Sequence, residues 1–282
     1  MRQRTSIDSS KTGEKKSADT SRAPSGSQTL LRGLDVLEGV AEGPISLGEL
    51  AAHLGLTRST THRLANALTE RRYLTFVPGR GYQLGPKLLE LGFQAQQQAD
   101  LVQIAHPWLE VLAQQSEDTV HLGVRDGDSA LYLDKIPGRR RIVISSRVGD
   151  RHPLTSTGLG KALLLDEEPS RWQELFELEK RKVKPSVDYK TWLKRMTGYV
   201  DAGRTFDLEE NEDQIRCVAA PIRDASGRIL GAISVSSAAQ YMDDDRMAAL
   251  SQEVVGTANS ISRELGWNPE KQAQAARGRP KR

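Results

Sequence analysis

Between Ser46 and Leu84 the apolar positions change period twice, marking out a helix, a tight turn, a second helix and a hairpin. Leu47, Leu50, Ala51 and Leu54 recur at helical spacing behind Ser46-Leu47-Gly48-Glu49, a capping box in which both side chains satisfy open backbone donors. Gly55 has the freedom to take the left-handed conformation that ends a helix, and Thr57 supplies the next N-cap. The second helix, from Arg58 to Leu68, turns Thr61, Leu64, Ala65 and Leu68 inward and Arg58, Ser59, Thr60, His62, Arg63 and Asn66 outward. Runs at 73–77 and 81–84 then alternate as strands around Pro78-Gly79-Arg80. This order reads as a winged helix-turn-helix. A short helix carrying hydroxyls and arginines suits the DNA major groove, and Arg80 at the wing tip suits the backbone or minor groove. The expected DNA contacts are therefore Arg58, Ser59, Thr60, Arg63 and Arg80. An αα-hairpin followed by a β-hairpin, with a merely solvated polar face, has the same outline.

The same periodicity extends to both sides. Leu30, Leu34, Leu37 and Val40-Ala41 mark a first helix over 28–42, stopped by Gly43-Pro44, and Ile45 begins a minimal strand that pairs with the wing. Gly85-Pro86 punctuates before a short helix to Gln98 with Leu88, Leu91-Gly92 and Ala95 along one side. From Asp100 the pattern becomes mixed. It predicts a helix over 101–116, with Leu101, Ile104, Trp108 and Val111-Leu112 as its apolar face. Strands at 119–125 and 130–135 flank Asp126-Gly127-Asp128, and a further strand covers 141–147. A Gly/Pro/Ser/Thr loop over 149–157 leads into a helix from Gly158. Charged helices follow at about 168–182 and 188–202, then strands at 215–222 and 229–236 and a closing helix over 243–265. Hairpins at both ends with helices between them define an antiparallel α+β domain.

Composition places these elements in two domains. A length of 282 residues and 37% hydrophobic content suit two ordinary cores. The domains read as 28–85 for the winged helix, 86–98 for a linker helix and 99–267 for the α+β domain. Residues 1–27 carry six Lys/Arg against three Asp/Glu, and residues 268–282 five against one, so the net charge of +3 resides in polar tails. Both tails lack the apolar content to fold; they either add salt-sensitive attraction to DNA or simply solubilise the ends. One cysteine excludes an internal disulfide framework, no Cys/His spacing suits a metal, and no cofactor is implied. No apolar run reaches the roughly 18 residues of a membrane span. The polar N-terminus lacks a signal-peptide core, which leaves the cytoplasm as the expected location.

Two places in the second domain invite a ligand. Around Asp224-Ala225-Ser226-Gly227 an even-length loop sets odd positions of one strand against even positions of the next. Cys217 and Ala219 therefore share a face with Ala232, Ser234 and Ser236, while Ile233 and Val235 point away. Small hydrogen-bonding side chains leave room for a small polar ligand, and they equally permit a helix to pack closely. At Pro153-Leu-Thr-Ser-Thr-Gly158-Leu159-Gly160-Lys161, glycines at a helix start expose backbone N–H groups suited to a carboxylate. Thr155 and Ala162 stand where a phosphate-binding P-loop needs Gly and Ser/Thr, so this is not a P-loop and nucleotide binding is not expected. Asp207 reads as a loop residue ahead of the Cys217 strand. There is no Gly-x-Ser-x-Gly elbow, and the five histidines have no triad or metal spacing, so catalysis is not expected. The tract Arg139-Arg140-Arg141 reads as solvated.

The stretch from Leu47 to Leu74 with its Arg58-Ser-Thr-Thr-His-Arg-Leu helix resembles the IclR family of bacterial transcriptional regulators. Pro153 to Leu164 is similar to that family's effector-domain motif, and Asp207-x-Glu-Glu-Asn with Cys217-Val-Ala-Ala-Pro-Ile-Arg-Asp and Gly231-Ala-Ile-Ser-Val-Ser resembles its C-terminal signature. The resemblance spans roughly 28–266. It implies a homodimer or dimer of dimers that binds a double-stranded DNA operator. It further implies a GAF-like effector domain that takes a small carboxylate through Gly158, Leu159, Asp207, Cys217, Ser234 and Ser236. Tyr132-Leu-Asp-Lys-Ile-Pro-Gly looks most like members tied to sugar-acid catabolism, which suggests a catabolic operon under repression or activation. The family often has a bulkier apolar residue at Thr61 or Ala65, implying a looser recognition-helix core. Two other readings stay open: a small-molecule-modifying enzyme fused to a DNA-binding module, and a DNA-binding architectural protein that senses nothing.

Overall fold

A computed structural model describes residues 27–140, 144–182 and 186–269. The chain divides between Gln98 and Ala99 into two units. In the first, α1 (Gln28–Gly39), α2 (Leu47–His53) and α3 (Arg58–Glu70) are followed by β1 (Leu74–Val77), β2 (Gly81–Leu84) and α4 (Pro86–Gln98). The capping box forms as expected, with Ser46 Oγ accepting from Glu49 N and Glu49 reaching back to Ser46 N at 3.1 Å. Gly55 adopts φ +61° and Thr57 caps α3. Val36, Val40, Leu50, Leu64, Ala65, Leu74 and Tyr82 close the core. Thr61 joins it by donating its hydroxyl to Thr57 O, so a polar residue at this buried position is satisfied within the helix. Ile45 bridges Tyr82 as a third, one-residue strand. Gly81 makes this bridge possible, because a Cβ there would lie 2.1 Å from Ile45 O and its φ is +100°.

The second unit is built on a six-stranded antiparallel sheet in the order β5-β4-β3-β8-β7-β6. Its strands are β3 (Thr119–Asp126), β4 (Ser129–Ile136), β5 (Arg151–Pro153), β6 (Thr205–Leu208), β7 (Ile215–Arg223) and β8 (Ile229–Ala238). One face turns Val120, Leu122, Val218, Ala220, Ile233 and Val235 against α5 (Leu101–Ser116) and α9 (Asp244–Glu264). The opposite face meets α6 (Gly158–Leu163), with α7 (Pro169–Lys180) and α8 (Tyr189–Ala202) beyond it. Trp172, Phe176, Tyr189 and Trp192 knit these helices together. The result is the GAF-like layering of helices on both faces of one sheet. Among the described residues no helix is long and apolar enough to cross a membrane.

Several expectations need correction. In α5 Leu101, Ile104 and Trp108 pack against the core and Leu112 is buried, as expected; Ala105, Leu109 and Ala113 join them, and of the expected face Val111 alone is exposed. Residues 144–147 form no strand, and 141–143 lie outside the described residues, as do 1–26 and 270–282. Within the basic tract, Arg139 is exposed but Arg140 is not simply solvated. Its Nε donates to the buried Asp118 at 2.9 Å, and its guanidinium lies over the Tyr241 ring. Asp207 belongs to strand β6, paired with Cys217 of β7, rather than to a loop.

Candidate functional site

On the first unit, α3 presents Arg58, Ser59, His62, Arg63 and Asn66 to the surface, and Arg80 stands exposed at the wing. Thr60 is half-buried, and its Oγ1 accepts from Thr57 Oγ1 at 2.9 Å, with Ser59 Oγ 3.2 Å from the same atom. The hydroxyls at the helix start therefore form a short chain, while the arginines project beyond it. The Arg58 guanidinium lies beside Gly48 of α2, at a distance that would be ordinary contact for a Cβ there. His62 and Asn66 lie one turn apart on the same outward face, and Tyr82 OH donates to Asn66 Oδ1 across to the wing. The outward spacing singled out both residues, although neither entered the expected contact set.

On the second unit, strand pairing carries the site. Cys217 lies opposite Ser236, and Ala219 opposite Ser234, as the parity argument requires. The route to that register differs from the one assumed. The loop between β7 and β8 has five residues, Asp224–Arg228, and a bulge beyond Ile222 restores the parity that an odd loop would have reversed. Asp207 opposite Cys217, and His121 opposite Ser234, extend the same face to both neighbouring strands.

A cavity of about 40 Å³ lies over this face, lined by His121, Tyr132, Ser146, His152, Thr157 and Gly158 and by Asp207, Asn211, Cys217 and Ser236. Gly158 is pressed onto the sheet, since a Cβ there would meet Cys217 Sγ at 2.8 Å. Thr157 caps α6 by accepting from Gly160 N at 2.9 Å, so the N–H groups of Gly158 and Leu159 are the first of the helix and have no intrahelical partner. The Leu159 side chain packs on Gly123 in the core, which leaves only its backbone for a ligand. Ser234 is fully buried beside the cavity, and its Oγ has no partner beyond the weak contact with the Cys217 thiol. The loop above is pinned from outside. Glu179 accepts from Leu154 N at 2.7 Å and Thr155 N at 3.1 Å, and Trp192 Nε1 donates to Thr155 O at 2.7 Å.

The charges of the site lie mostly beneath it. Lys161 is buried, donates to Phe206 O at 2.8 Å and pairs with Glu210, which also pairs with Arg195. Burial pushes Lys161 down to about 8, although the nearby Asp207 carboxylate opposes the shift. Asp207 Oδ1 accepts from Glu210 N at 2.8 Å and Asn211 N at 3.4 Å, so the carboxyl fastens the turn after β6. Burial nonetheless raises Asp207 to about 6 against the pull of Lys161. Burial likewise lifts the Cys217 thiol to about 11, with Asp207 adding to the effect, so the sulfur is a neutral wall and not a nucleophile. Lys161, His121, Tyr132 and His152 were not among the expected site residues. Parity from the Cys217 strand reached β8 only, and nothing in the spacing of β3, β4 and β5 announced their shared face. Among the described residues no cluster of His, Cys, Asp and Glu could hold a metal.

A winged helix-turn-helix joined to an α+β unit with a small polar cavity on its sheet defines a transcription factor. Residues 29–78 match the IclR helix-turn-helix domain and residues 93–263 match the bacterial transcriptional regulator IclR C-terminal domain. The chain belongs to the IclR family of DNA-binding transcriptional regulators, a family of regulators and not of enzymes. It is 30% identical over 254 residues to the HTH-type transcriptional regulator XynR of Escherichia coli strain K12, spanning 85% of this chain and 98% of that protein. It is 31% identical over 269 residues to the acetate operon repressor of Salmonella typhimurium, spanning 91% and 96%. The crystal structure of the repressor BlcR of Agrobacterium tumefaciens is similar with a TM-score of 0.72 at 25% identity, covering 85% of this chain and 98% of that one. Pseudomonas aeruginosa HmgR, at 0.74 and 23% identity over 86% and 99%, shares the fold.

Proposed function

We propose that this regulator controls a catabolic operon, as repressor or activator, in response to a small organic acid bound over the sheet. The observation that carries this reading is the cavity between α6 and the sheet. There Gly158, which with Leu159 begins α6, lines the cavity together with Cys217 and Ser236, and Ser234 is buried beside them. Two amides at a helix start suit a carboxylate, and serine hydroxyls hold what the carboxylate is attached to. Asp207 resolves its conflict with an anion in two ways: it is engaged by the loop amides and it protonates readily. In this reading Arg58, Ser59, Thr60 and Arg63 enter the major groove and Arg80 takes the neighbouring backbone or minor groove. The chain acts as a homodimer or dimer of dimers, which α4 supports: Leu89 and Phe93, four residues apart, are 78% and 62% exposed.

Binding of the promoter fragment adjoining the gene, measured with and without small carboxylates, tests the proposal. An acid that raises the melting temperature should also change operator affinity. Combined Ser234→Ala and Ser236→Ala should lower the affinity for that acid by about 1–3 kcal/mol while operator binding without it survives. Full acid affinity in the double variant would place the site elsewhere.

A further inference from the structure

The wall of the cavity on the β3-β4-β5 side is aromatic. His121 of β3, Tyr132 of β4 and His152 of β5 stand side by side across three adjacent strands. Ring centroids are 4.9 Å apart between His121 and Tyr132, and 4.3 Å between Tyr132 and His152. All three line the cavity. Both histidines are neutral at physiological pH. Burial, reinforced by Lys135 and His152, depresses His121 to about 3, and burial also lowers His152. A neutral imidazole has one N–H and one lone pair to satisfy. His121 Nε2 is committed to Ser146 Oγ at 2.8 Å, but its Nδ1 is buried with no partner among the described residues. His152 Nε2 is in the same position, and so, apart from the Cys217 thiol, is Ser234 Oγ, directly across the sheet from His121.

Buried polar atoms are paired in the great majority of folded proteins, so uncommitted ones gathered on one cavity wall and just behind it call for a common explanation. An alcohol oxygen donates and accepts at once, and it answers either tautomer of each imidazole. A ketone or a second carboxylate answers only an N–H. His152 and Asn211 also line a second cavity of about 290 Å³, whose wall includes Ser129, Ser156 and Phe176. An acid held at Gly158 lies in the cavity lined by the column of rings, and His152 stands on the wall of the larger cavity as well.

From this arrangement we infer that His121 and His152 are specificity-determining residues of the effector site, and that the effector is a hydroxylated carboxylic acid whose hydroxyl groups bond to them. The inference rests on the effector site proposed above and narrows its ligand to one chemical class. Tyr132 keeps the two imidazoles parted and presents an apolar surface to the C–H face of the ligand chain.

Calorimetry on the full chain with matched acids tests it. The probes are glycerate and gluconate, each set against its deoxy counterpart, propionate and hexanoate, with pyruvate as the keto acid. A hydroxylated acid should bind at least tenfold more tightly than its counterpart. His121→Leu and His152→Leu should each cost that acid tenfold or more and leave the deoxy acid unaffected. His121→Asn, whose amide lies near the position of Nδ1, should recover most of the loss, a result that a purely structural role would not give. Deoxy or keto acids binding as tightly as hydroxylated ones would overturn the inference, as would a panel in which nothing binds. The serine variants separate the two claims. If they weaken the bound acid and the histidine variants do not, the site stands and the histidine role falls. If neither set weakens it, the site itself is misplaced. Should the leucine variants fail to fold, the wild-type panel and His121→Asn decide alone.

Discussion

Asp207→Asn should make the protein more stable at neutral pH, and the gain should vanish in acid. The carboxyl is buried under α6 and titrates at about 6, against an ordinary value of 3.8. A group raised in this way binds its proton more tightly folded than unfolded. Its contribution is constant below the unfolded value and erodes as pH climbs from about 4 to 6. Beyond that the penalty for holding a buried carboxylate stays at about 3 kcal/mol. Lys161 does not disturb this window, because a lysine lowered to about 8 changes charge only at higher pH. Asparagine keeps an oxygen for the Glu210 and Asn211 N–H groups and removes the charge. The variant should therefore gain up to about 3 kcal/mol at pH 7.5 and nothing at pH 4, a figure that already contains the attraction of Lys161 for the carboxylate. Urea denaturation of wild type and variant at both values measures the difference. A variant that loses stability at pH 7.5 and gains nothing between the two values would show that Lys161 and the turn amides satisfy the native carboxylate. The burial argument would then be wrong.

Four further outcomes follow from the structure. Arg63→Ala should cost about 1–3 kcal/mol of operator affinity, with relaxed preference at one base pair, in a fluorescence anisotropy titration. Arg80→Ala should weaken all sequences alike and reduce the slope of log affinity against log salt by about 1. Gly81→Ala forces a Cβ to within 2.1 Å of Ile45 O at a φ of +100°, so a loss of at least about 2 kcal/mol is expected in thermal melts, with the wing detached from Ile45. Sedimentation at micromolar concentration should show a dimer, and Leu89→Lys with Phe93→Lys should shift it toward monomer; a wild-type monomer with and without DNA would refute α4 as a contact.

The winged helix was legible in detail because its signals are local. Caps, a glycine turn and apolar spacing lie within a few residues of what they control, and even the Ile45 bridge followed from a lone apolar residue beside the wing. The second unit was legible wherever strands met through a turn, as in the hairpin at Gly127. It was opaque where pairing is long-range. Asp207 read as a loop residue because a four-residue edge strand carries little alternation, and β5, three residues long, carries none. On α5 only Val111 was misplaced, because it is as apolar as the Leu112 buried beside it. Lys161 gave no sign of burial, since its partners Glu210 and Phe206 come from a strand and turn more than forty residues away. The histidine column depends on three strands whose shared face appears only after they pair.

The bulge in the last hairpin has a consequence for how this sensor can change over evolutionary time. Five loop residues and one bulged residue together set Cys217 opposite Ser236. Deleting one residue from Asp224–Arg228 leaves either a four-residue loop with the bulge intact or, with Arg223 paired to Leu230 and the bulge ironed out, a five-residue loop, and in both cases every residue from Ile222 inward still faces its present partner. Insertions and deletions of one residue at this tip are thereby uncoupled from the chemistry of the cavity. The hairpin end is free to drift in length while the ligand-facing positions stay in place.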